Sequence, residues 1–209
     1  MRVRVKSRKP GVRCDDCGVH PDACICAVAP DLDTETRVVI FMHCREKSLS
    51  SGTARLARKA LRRCEIRLHG AKDVPTDVLN LAEPGRRALV LFPTATARTL
   101  DAEFLRELKG PYTLIVPDGS WRQAARCARR IPGLDGLPRV KLPKGPPSEY
   151  RLRAQASLEC VCTYEAIARA LGVIEGRAVR ERLEAFLRLK VDATRRRRGT
   201  AAVQALPRS

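Results

Sequence analysis

The sequence predicts an α/β fold in which a mainly parallel sheet is flanked by helices, with a small cysteine-rich module ahead of it. Short apolar runs alternate with amphipathic segments along most of the chain, which is the pattern of strands connected by helices. Four closely spaced cysteines precede the first of these runs. A length of 209 residues allows one main domain with a small appended module.

Hydrophobic periodicity and capping residues place the elements of the first half of the main domain. Continuous apolar runs such as RVVIFM and ALVLF are typical of buried strands, and apolar residues at helical spacing indicate helices. The predicted elements are, in order, strand 37–42, a basic amphipathic helix beginning near Ser51 or Thr53, a short strand 65–68, strand 88–92 and helix 101–109.

The second half continues the alternation and ends in two helices. Its apolar run YTLIV predicts a third buried strand, which is followed directly by the segment DGSW. The predicted elements are strand 112–116, a helix from Trp121 that ends before Pro132, strand 139–142, and helices 164–171 and 177–189.

Charge and composition divide the chain into three expected segments and favour a polyanionic partner. Residues 1–34 combine a basic arm with the cysteine module, residues 35–191 form the main domain, and residues 192–209 form a basic tail that we expect to be disordered. Lys and Arg number 41 against 23 Asp and Glu, so nucleic acid is the leading candidate partner. A merely solubilising basic surface is the alternative.

Targeting signals are not evident in the sequence. The N-terminus lacks the apolar core of a signal peptide, and no run approaches the 18 apolar residues of a membrane-spanning helix. We therefore expect a cytoplasmic protein that has no membrane association, and no obligate protein partner is evident. The sequence also lacks a P-loop and a Gly-x-Gly-x-x-Gly motif, which argues against ATP-driven or dinucleotide-dependent chemistry.

The cysteine module predicts a structural zinc site. In a reducing compartment, closely spaced cysteines are more often metal ligands than disulfides. Four thiolates complete a tetrahedral shell, which suits Zn²⁺ and leaves no open position for catalysis. Two disulfides and an iron–sulfur centre are the alternatives. The ligands are Cys14, Cys17, Cys24 and Cys26.

Candidate chemistry lies where two predicted strands end, because open parallel sheets bind ligands beyond the carboxyl ends of their strands. Pro93 and Thr94 follow one strand. Asp118, Ser120 and Trp121 follow another, although an Asp-Gly pair is often only a turn and a tryptophan often belongs to the core. On the next helix, Arg122, Arg126 and Arg129 share one face that either binds phosphates or is simply solvated.

Several ordered motifs together resemble the DTW-domain family of tRNA-uridine aminocarboxypropyltransferases. The name-giving Asp-x-Thr-Trp motif reads Asp118 to Trp121 here, with Ser120 in place of the threonine. PPSEYRLR is similar to the family's Ser-x-Tyr-Arg-Leu-Arg block, and CTYEA to its Ser-Thr-x-Glu-Ala block. The cysteine quartet, the MHCREK segment and GTARLA match further family motifs, but Cys44 stands where the family has proline.

This resemblance implies a SPOUT-like fold, compatible with a knotted chain, with S-adenosylmethionine held at the carboxyl edge of the sheet. The implied reaction transfers the 3-amino-3-carboxypropyl group to N3 of a tRNA uridine, giving acp3U and methylthioadenosine. An RNA methyltransferase on the same fold and a non-catalytic zinc-containing RNA-binding module are the alternatives. Which uridine and which tRNAs are modified does not follow from the sequence.

The motifs suggest roles for particular residues. Asp118 is the candidate base, because partial burial at a strand end raises a carboxyl pKa, although a structural or cofactor-binding role stays open. Trp121 is a candidate for stacking on a base and Ser120 for donating a hydrogen bond. The predicted cofactor pocket consists of Pro93, Thr94, Asp118, Trp121, Thr163 and Glu165, and the predicted RNA contacts are Arg122, Arg151 and Arg153.

Overall fold

The computed structural model describes residues 13–47, 49, 52–72, 74–150, 152 and 160–204. The strands are β1 (Arg37–His43), β2 (Cys64–His69), β3 (Arg87–Leu91), β4 (Arg98–Thr99), β5 (Tyr112–Asp118) and β6 (Arg139–Lys141). The helices are α1 (Ala54–Ala60), α2 (Ala102–Glu107), α3 (Trp121–Arg130), α4 (Thr163–Ile174) and α5 (Arg177–Gln204).

The strands form a six-stranded sheet in the order β2-β1-β5-β3-β6-β4, and every neighbouring pair is parallel. The predicted mainly parallel sheet is therefore confirmed. Strands β1, β5 and β3 occupy its middle, where they are covered on both faces, and this explains why their sequences are apolar without interruption.

Alternate residues of the central strands face two separate hydrophobic cores. In β1, Val38 and Ile40 belong to the core that α1, α4 and α5 cover, whereas Val39 and Phe41 face the core that α3 covers. All four side chains are fully buried. The molecule thus has three layers, with helices on both faces of the sheet.

The connections create a crevice at the carboxyl edge of the sheet. The chain leaves β1 toward α1 on one face, whereas it leaves the neighbouring strand β5 toward α3 on the other face. Between two such adjacent strands no connection covers the strand ends, so ligands bind there in open α/β sheets. Met42 of β1 pairs with Asp118 of β5, which places the DGSW segment at this crevice.

The N-terminal module packs against the main domain. Cys17 and Val19 are 1% and 2% exposed and belong to the same core as α1, α4 and α5. Farther along, the amide of Leu32 donates to the carbonyl of Ala60, and the amide of Arg62 donates to the carbonyl of Leu32. The chain therefore reaches β1 along the end of α1.

Two features differ from the sequence-based expectation. Strand β4 was not predicted, because two residues are too few to show an alternating pattern. The prediction of a disordered tail from residue 192 is wrong as far as the structure describes it, since α5 continues to Gln204. Its apolar face is anchored by Leu183, Phe186 and Leu187, and the arginines that follow are good helix formers that extend an established helix.

None of the helices in the described ranges combines the length and the apolar character needed to cross a bilayer. The expected segment boundaries at residues 34 and 191 stay predictions.

Candidate active site and cysteine cluster

A cavity of about 970 Å³ opens at the carboxyl edge of the sheet. Its walls come from the ends of β3 and β5, the loop that follows β6, the start of α4, and the segment between β1 and α1. A volume of this size accommodates a nucleoside-sized ligand. Both charge signs line it, with Asp118 and Glu46 supplying carboxylates and Lys141, Lys144 and Arg169 supplying cations.

Asp118 is the last residue of β5 and is only 6% exposed. Its Oδ1 accepts a hydrogen bond of 2.5 Å from Oγ1 of Thr163, the first residue of α4. This bond joins the central strand to a helix that packs on one face of the sheet. It also fixes one carboxylate oxygen at the wall of the cavity.

The DGSW segment is held by a capping box at the start of α3. The Ser120 side chain accepts from the amide of Gln123, and Oε1 of Gln123 accepts from the amide of Ser120 at 2.7 Å. A Cβ atom at Gly119 would lie 2.9 Å from Cβ of Gln123, so the segment requires glycine there. The hydroxyl of Ser120 is therefore used in capping.

Two histidines support this loop from the neighbouring strands. His43 at the end of β1 and His69 at the end of β2 are paired in register, with ring centroids 5.2 Å apart in an edge-to-face arrangement. Nδ1 of His43 lies 3.3 Å from Nε2 of Gln123 and accepts from the amide of Arg45. Burial, and then the charge of Arg45, lowers the pKa of His43, so the ring is neutral near pH 7.

Glu165 organises the segment that borders the cavity beside α4. This buried carboxylate accepts from the hydroxyl of Ser148, from the amide of Glu149 at 2.7 Å and from the amide of Cys162 at 3.1 Å. It therefore ties residues 148–149 to the N-terminus of α4. Glu165 itself does not line the cavity.

Trp121 lies at the mouth of the cavity and is 46% exposed. Its indole ring packs against Phe92 at the end of β3, with 5.9 Å between the ring centroids. The ring is thus held in a tilted contact while nearly half of its surface stays exposed, which leaves it available for stacking on a planar base.

The four cysteines of the N-terminal module form one cluster, with all sulfur atoms within 4.8 Å of one another. Sγ of Cys14 lies 3.5 Å from Sγ of Cys26, and Sγ of Cys17 lies 3.8 Å from Sγ of Cys24. A tetrahedral zinc ion with bonds of about 2.3 Å separates its sulfur ligands by about 3.8 Å. The donor set and its spacing therefore fit Zn²⁺.

A buried lysine lies directly behind this cluster. Lys190 of α5 is 1% exposed, and its Nζ donates to the carbonyl of Cys17 at 2.5 Å. A Zn²⁺ ion bound by four thiolates carries a net charge of −2, so a buried ammonium nearby offsets part of that charge. Burial lowers the pKa of Lys190 to about 8.

The DTW domain profile matches residues 11–195. The chain belongs to the DTW domain family. No solved structure matches it significantly.

This DTW domain is similar to curated proteins named tRNA-uridine aminocarboxypropyltransferase 2. Identity is 30% over 172 residues to the Drosophila melanogaster protein, covering 79% of this chain and 67% of that protein. Identity to the Mus musculus protein is 31% over 182 residues, which cover 84% of this chain and 60% of that protein. Identity to the Macaca fascicularis protein is 27% over 181 residues, which again cover 84% of this chain and 60% of that protein. The chain thus spans about 60 to 67% of the length of these relatives.

The DTW domain brings five of the seven predicted catalytic and cofactor-pocket residues to one cavity. Asp118, Ser120, Trp121, Pro93 and Thr163 all line it. Two other predicted pocket residues do not: Thr94 bonds to Thr96 outside the lining, and Glu165 is buried behind it. Arg122 is exposed on α3 and outside the lining, and Arg151 and Arg153 lie outside the described residues.

Other site residues of this DTW domain were not predicted. Glu46 and Thr53 line the cavity, and Oγ1 of Thr53 accepts from the amide of Tyr164 in α4. Arg169 lines it from the same helix, six residues after Thr163. Thr163, Ala166 and Arg169 follow one another at steps of three residues, which places them along one broad side of α4, but only the fold indicates that this side borders a cavity.

Proposed function

We propose that this protein is a tRNA-uridine aminocarboxypropyltransferase that uses S-adenosylmethionine as the donor and releases methylthioadenosine. The observation that carries the proposal is Asp118, which is fixed by Thr163 at the carboxyl end of a central strand and lines a nucleoside-sized cavity beside a half-exposed tryptophan. Membership of the DTW family and the names of its relatives agree with this reaction.

The proposed chemistry is a displacement at carbon. N3 of uracil loses its proton to a base and attacks the donor carbon next to sulfur, so that an N–C bond forms. The C–S bond breaks with its electron pair moving to sulfur, which leaves neutral methylthioadenosine. Since the sulfonium is already a good leaving group, the protein has to orient the two reactants and accept the proton. We assign proton acceptance to Asp118 and base stacking to Trp121.

Recognition of tRNA is proposed to use exposed cations beside the mouth of the cavity. Arg122, Arg126 and Arg129 are all exposed on α3, the helix that begins with Trp121. Guanidinium groups grip phosphate with paired hydrogen bonds, and such contacts position an RNA without reading its sequence. The formal charge of +18 supports binding of a polyanion. Arg151 and Arg153 stay predicted contacts.

A labelling experiment tests the transferred group. The protein is incubated with a tRNA pool and with S-adenosylmethionine labelled either in the carboxyl group or in the methyl group. Carboxyl label alone entering RNA is the expected result. Methyl label alone would indicate a methyltransferase, and the absence of both labels from RNA would favour a non-catalytic RNA-binding protein.

The base assignment is tested by Asp118→Asn, which keeps the shape of the side chain but removes its basicity. We expect transfer to fall by about 100-fold or more, within the usual contribution of a general base. Zinc content, tRNA affinity and the melting temperature should stay close to those of the wild type. A variant that retains most of its transfer rate would show that Asp118 is not the base.

A further inference from the structure

Arg169 is an unusual cation in this cavity. The other two cationic side chains that line the cavity within the described residues, Lys141 and Lys144, are exposed to solvent, whereas Arg169 is partly buried. Because water screens the exposed ammonium groups, a partly buried guanidinium interacts more strongly with an anion in the cavity.

The hydrogen-bonding capacity of Arg169 is largely unused in the described part of the chain. Its Nη2 makes one long contact of 3.4 Å to the carbonyl of Pro147. Its Nε is buried and has no hydrogen-bond partner, and no carboxylate from the described residues forms an ion pair with it. Buried polar groups of a native protein are nearly always satisfied, so the donors of this guanidinium are open to an anionic ligand in the cavity.

We propose that Arg169 binds the carboxylate of the aminocarboxypropyl group of the donor and so selects a donor that carries an α-amino acid. This inference rests on the proposed function and deepens it.

The position of Arg169 on α4 suits this role. Thr163, Ala166 and Arg169 all line the cavity, so one face of the helix forms this wall. Six residues of helix separate Thr163, which holds Asp118, from Arg169, a rise of about 9 Å. The guanidinium lies beside the loop at Pro147, and in this proposal the short aminocarboxypropyl chain lies between it and Asp118. Its reacting carbon then lies toward Asp118 and its carboxylate toward the guanidinium.

Fixing the carboxylate also chooses which bond to sulfur is broken. Three carbons are attached to the sulfonium, and only the one held in line with the uridine nitrogen reacts. A guanidinium that holds the far end of the amino acid chain restricts the rotation of that chain. Arg169 is therefore a specificity-determining residue as well as a source of affinity.

The test compares the affinities of three adenosine compounds by calorimetry and by the fluorescence of Trp121, the single tryptophan of the chain. The compounds are S-adenosylmethionine, its decarboxylated analogue, which lacks only the carboxylate, and methylthioadenosine. We expect wild-type protein to prefer S-adenosylmethionine over the decarboxylated analogue by about 10- to 100-fold, the effect of one charged hydrogen bond. In Arg169→Gln this preference should disappear, whereas the affinity for methylthioadenosine should change by less than about threefold.

A matched control removes an arginine outside the cavity. Arg177→Gln, at the exposed start of α5, should keep the wild-type preference because Arg177 lies outside the cavity lining and pairs with Glu181. Equal affinity of the wild type for the first two compounds overturns the assignment without any variant. A loss of tRNA affinity in Arg169→Gln, with donor preference intact, shows that Arg169 binds RNA phosphate instead and also overturns it.

Failure of the proposed function gives a different result. A wild-type protein that binds none of the three adenosine compounds overturns the proposed donor and this inference with it. Should Arg169→Gln fail to melt cooperatively, Arg169→Lys tests the same assignment, because it keeps the charge and loses the paired hydrogen bonds. It is expected to show a weaker but measurable preference for the carboxylated donor.

Discussion

At the scale of single residues, the pairing of His43 with His69 joins three strand ends. Both rings lie at the carboxyl ends of adjacent strands. Nδ1 of His43 also lies within hydrogen-bond distance of Nε2 in the side chain of Gln123, the residue that forms the capping box with Ser120. Nδ1 of His43 accepts hydrogen bonds only when it carries no proton. Neutral histidines are therefore part of the arrangement that holds Ser120 and Trp121 in place.

This histidine pair predicts that stability falls in mildly acidic solution. Burial, and then the neighbouring His43, lowers the pKa of His69 from 6.5 to about 4, although a hydrogen bond to the backbone of Asp118 opposes the shift. The unfolded chain takes up a proton first as the pH falls. The stabilisation is thus complete above about pH 6.5 and is lost toward pH 4, an effect of at most ~3 kcal/mol.

Urea unfolding at pH 7.5 and at pH 5 measures this effect. Other groups also titrate in that range, so the informative quantity is the difference between the wild type and His69→Gln, which has no imidazole to protonate. We expect the variant to lose less stability on acidification than the wild type. Equal losses would show that His69 does not carry the pH dependence.

At the scale of elements, the N-terminus of α4 organises the site. Thr163 holds Asp118 of β5, the amide of Tyr164 donates to Thr53 ahead of α1, and Glu165 holds residues 148–149. Three consecutive residues thus connect α4 to three separate parts of the cavity wall. A small movement of this helix end would change the position of the candidate base and of the loop together.

Glu165→Gln tests this organising role. The carboxylate accepts hydrogen bonds at both oxygens, whereas the amide of glutamine presents an N–H donor to one of the groups that donate in the wild type. We expect a loss of about 1–3 kcal/mol in the free energy of unfolding. Hydrogen exchange at the amides of Glu149 and Cys162 should accelerate, and slow exchange at those amides in the variant would contradict the role.

The elements that the sequence predicts well are those with a long, uniform pattern. Strands β1, β3 and β5 were predicted within one or two residues, since a buried parallel strand is apolar along its whole length. The start of α3 was also predicted, at Trp121. Strand β4 was not predicted, because two residues are too few to show a periodic pattern. The full length of α5 was not predicted either, because an established helix continues through the run of arginines that follows its apolar part.

At the scale of the whole molecule, the site could be predicted only in part because it is assembled by topology. Motif matches placed Asp118 and Thr163 in the site although 45 positions separate them, and the structure joins them by one hydrogen bond. The same motif led to Glu165, but its carboxylate points to backbone amides behind the cavity wall. No sequence pattern indicates that Arg169 lies beside an opening.

The cysteine cluster joins the N-terminal module to the rest of the molecule, so a zinc ion bound there should stabilise the whole protein. Cys17 lies in the main core, and its backbone carbonyl accepts a hydrogen bond from Nζ of Lys190 in α5. Asp16 forms an ion pair of 3.1 Å with Arg58 of α1. Loss of zinc would release these contacts and leave Lys190 as a buried charge without the thiolates that offset it. The cysteine cluster is therefore expected to belong to the same cooperative unit as the sheet.

Zinc removal gives the matching prediction. The purified protein should contain about one zinc per chain. Chelation should lower the melting temperature of the whole chain by at least about 5 °C. Loss of the metal is expected to cost a few kcal/mol of stability, and each kcal/mol lowers the melting temperature of a protein of this size by about 2–4 °C. Cys17→Ser should lose the zinc and show the same lowered melting temperature without chelator. Cys64→Ser, which changes a partly buried cysteine outside the cluster, should keep its zinc. A chain that loses its zinc and melts at an unchanged temperature would show that the module folds apart from the core, against the packing of Cys17 and Lys190.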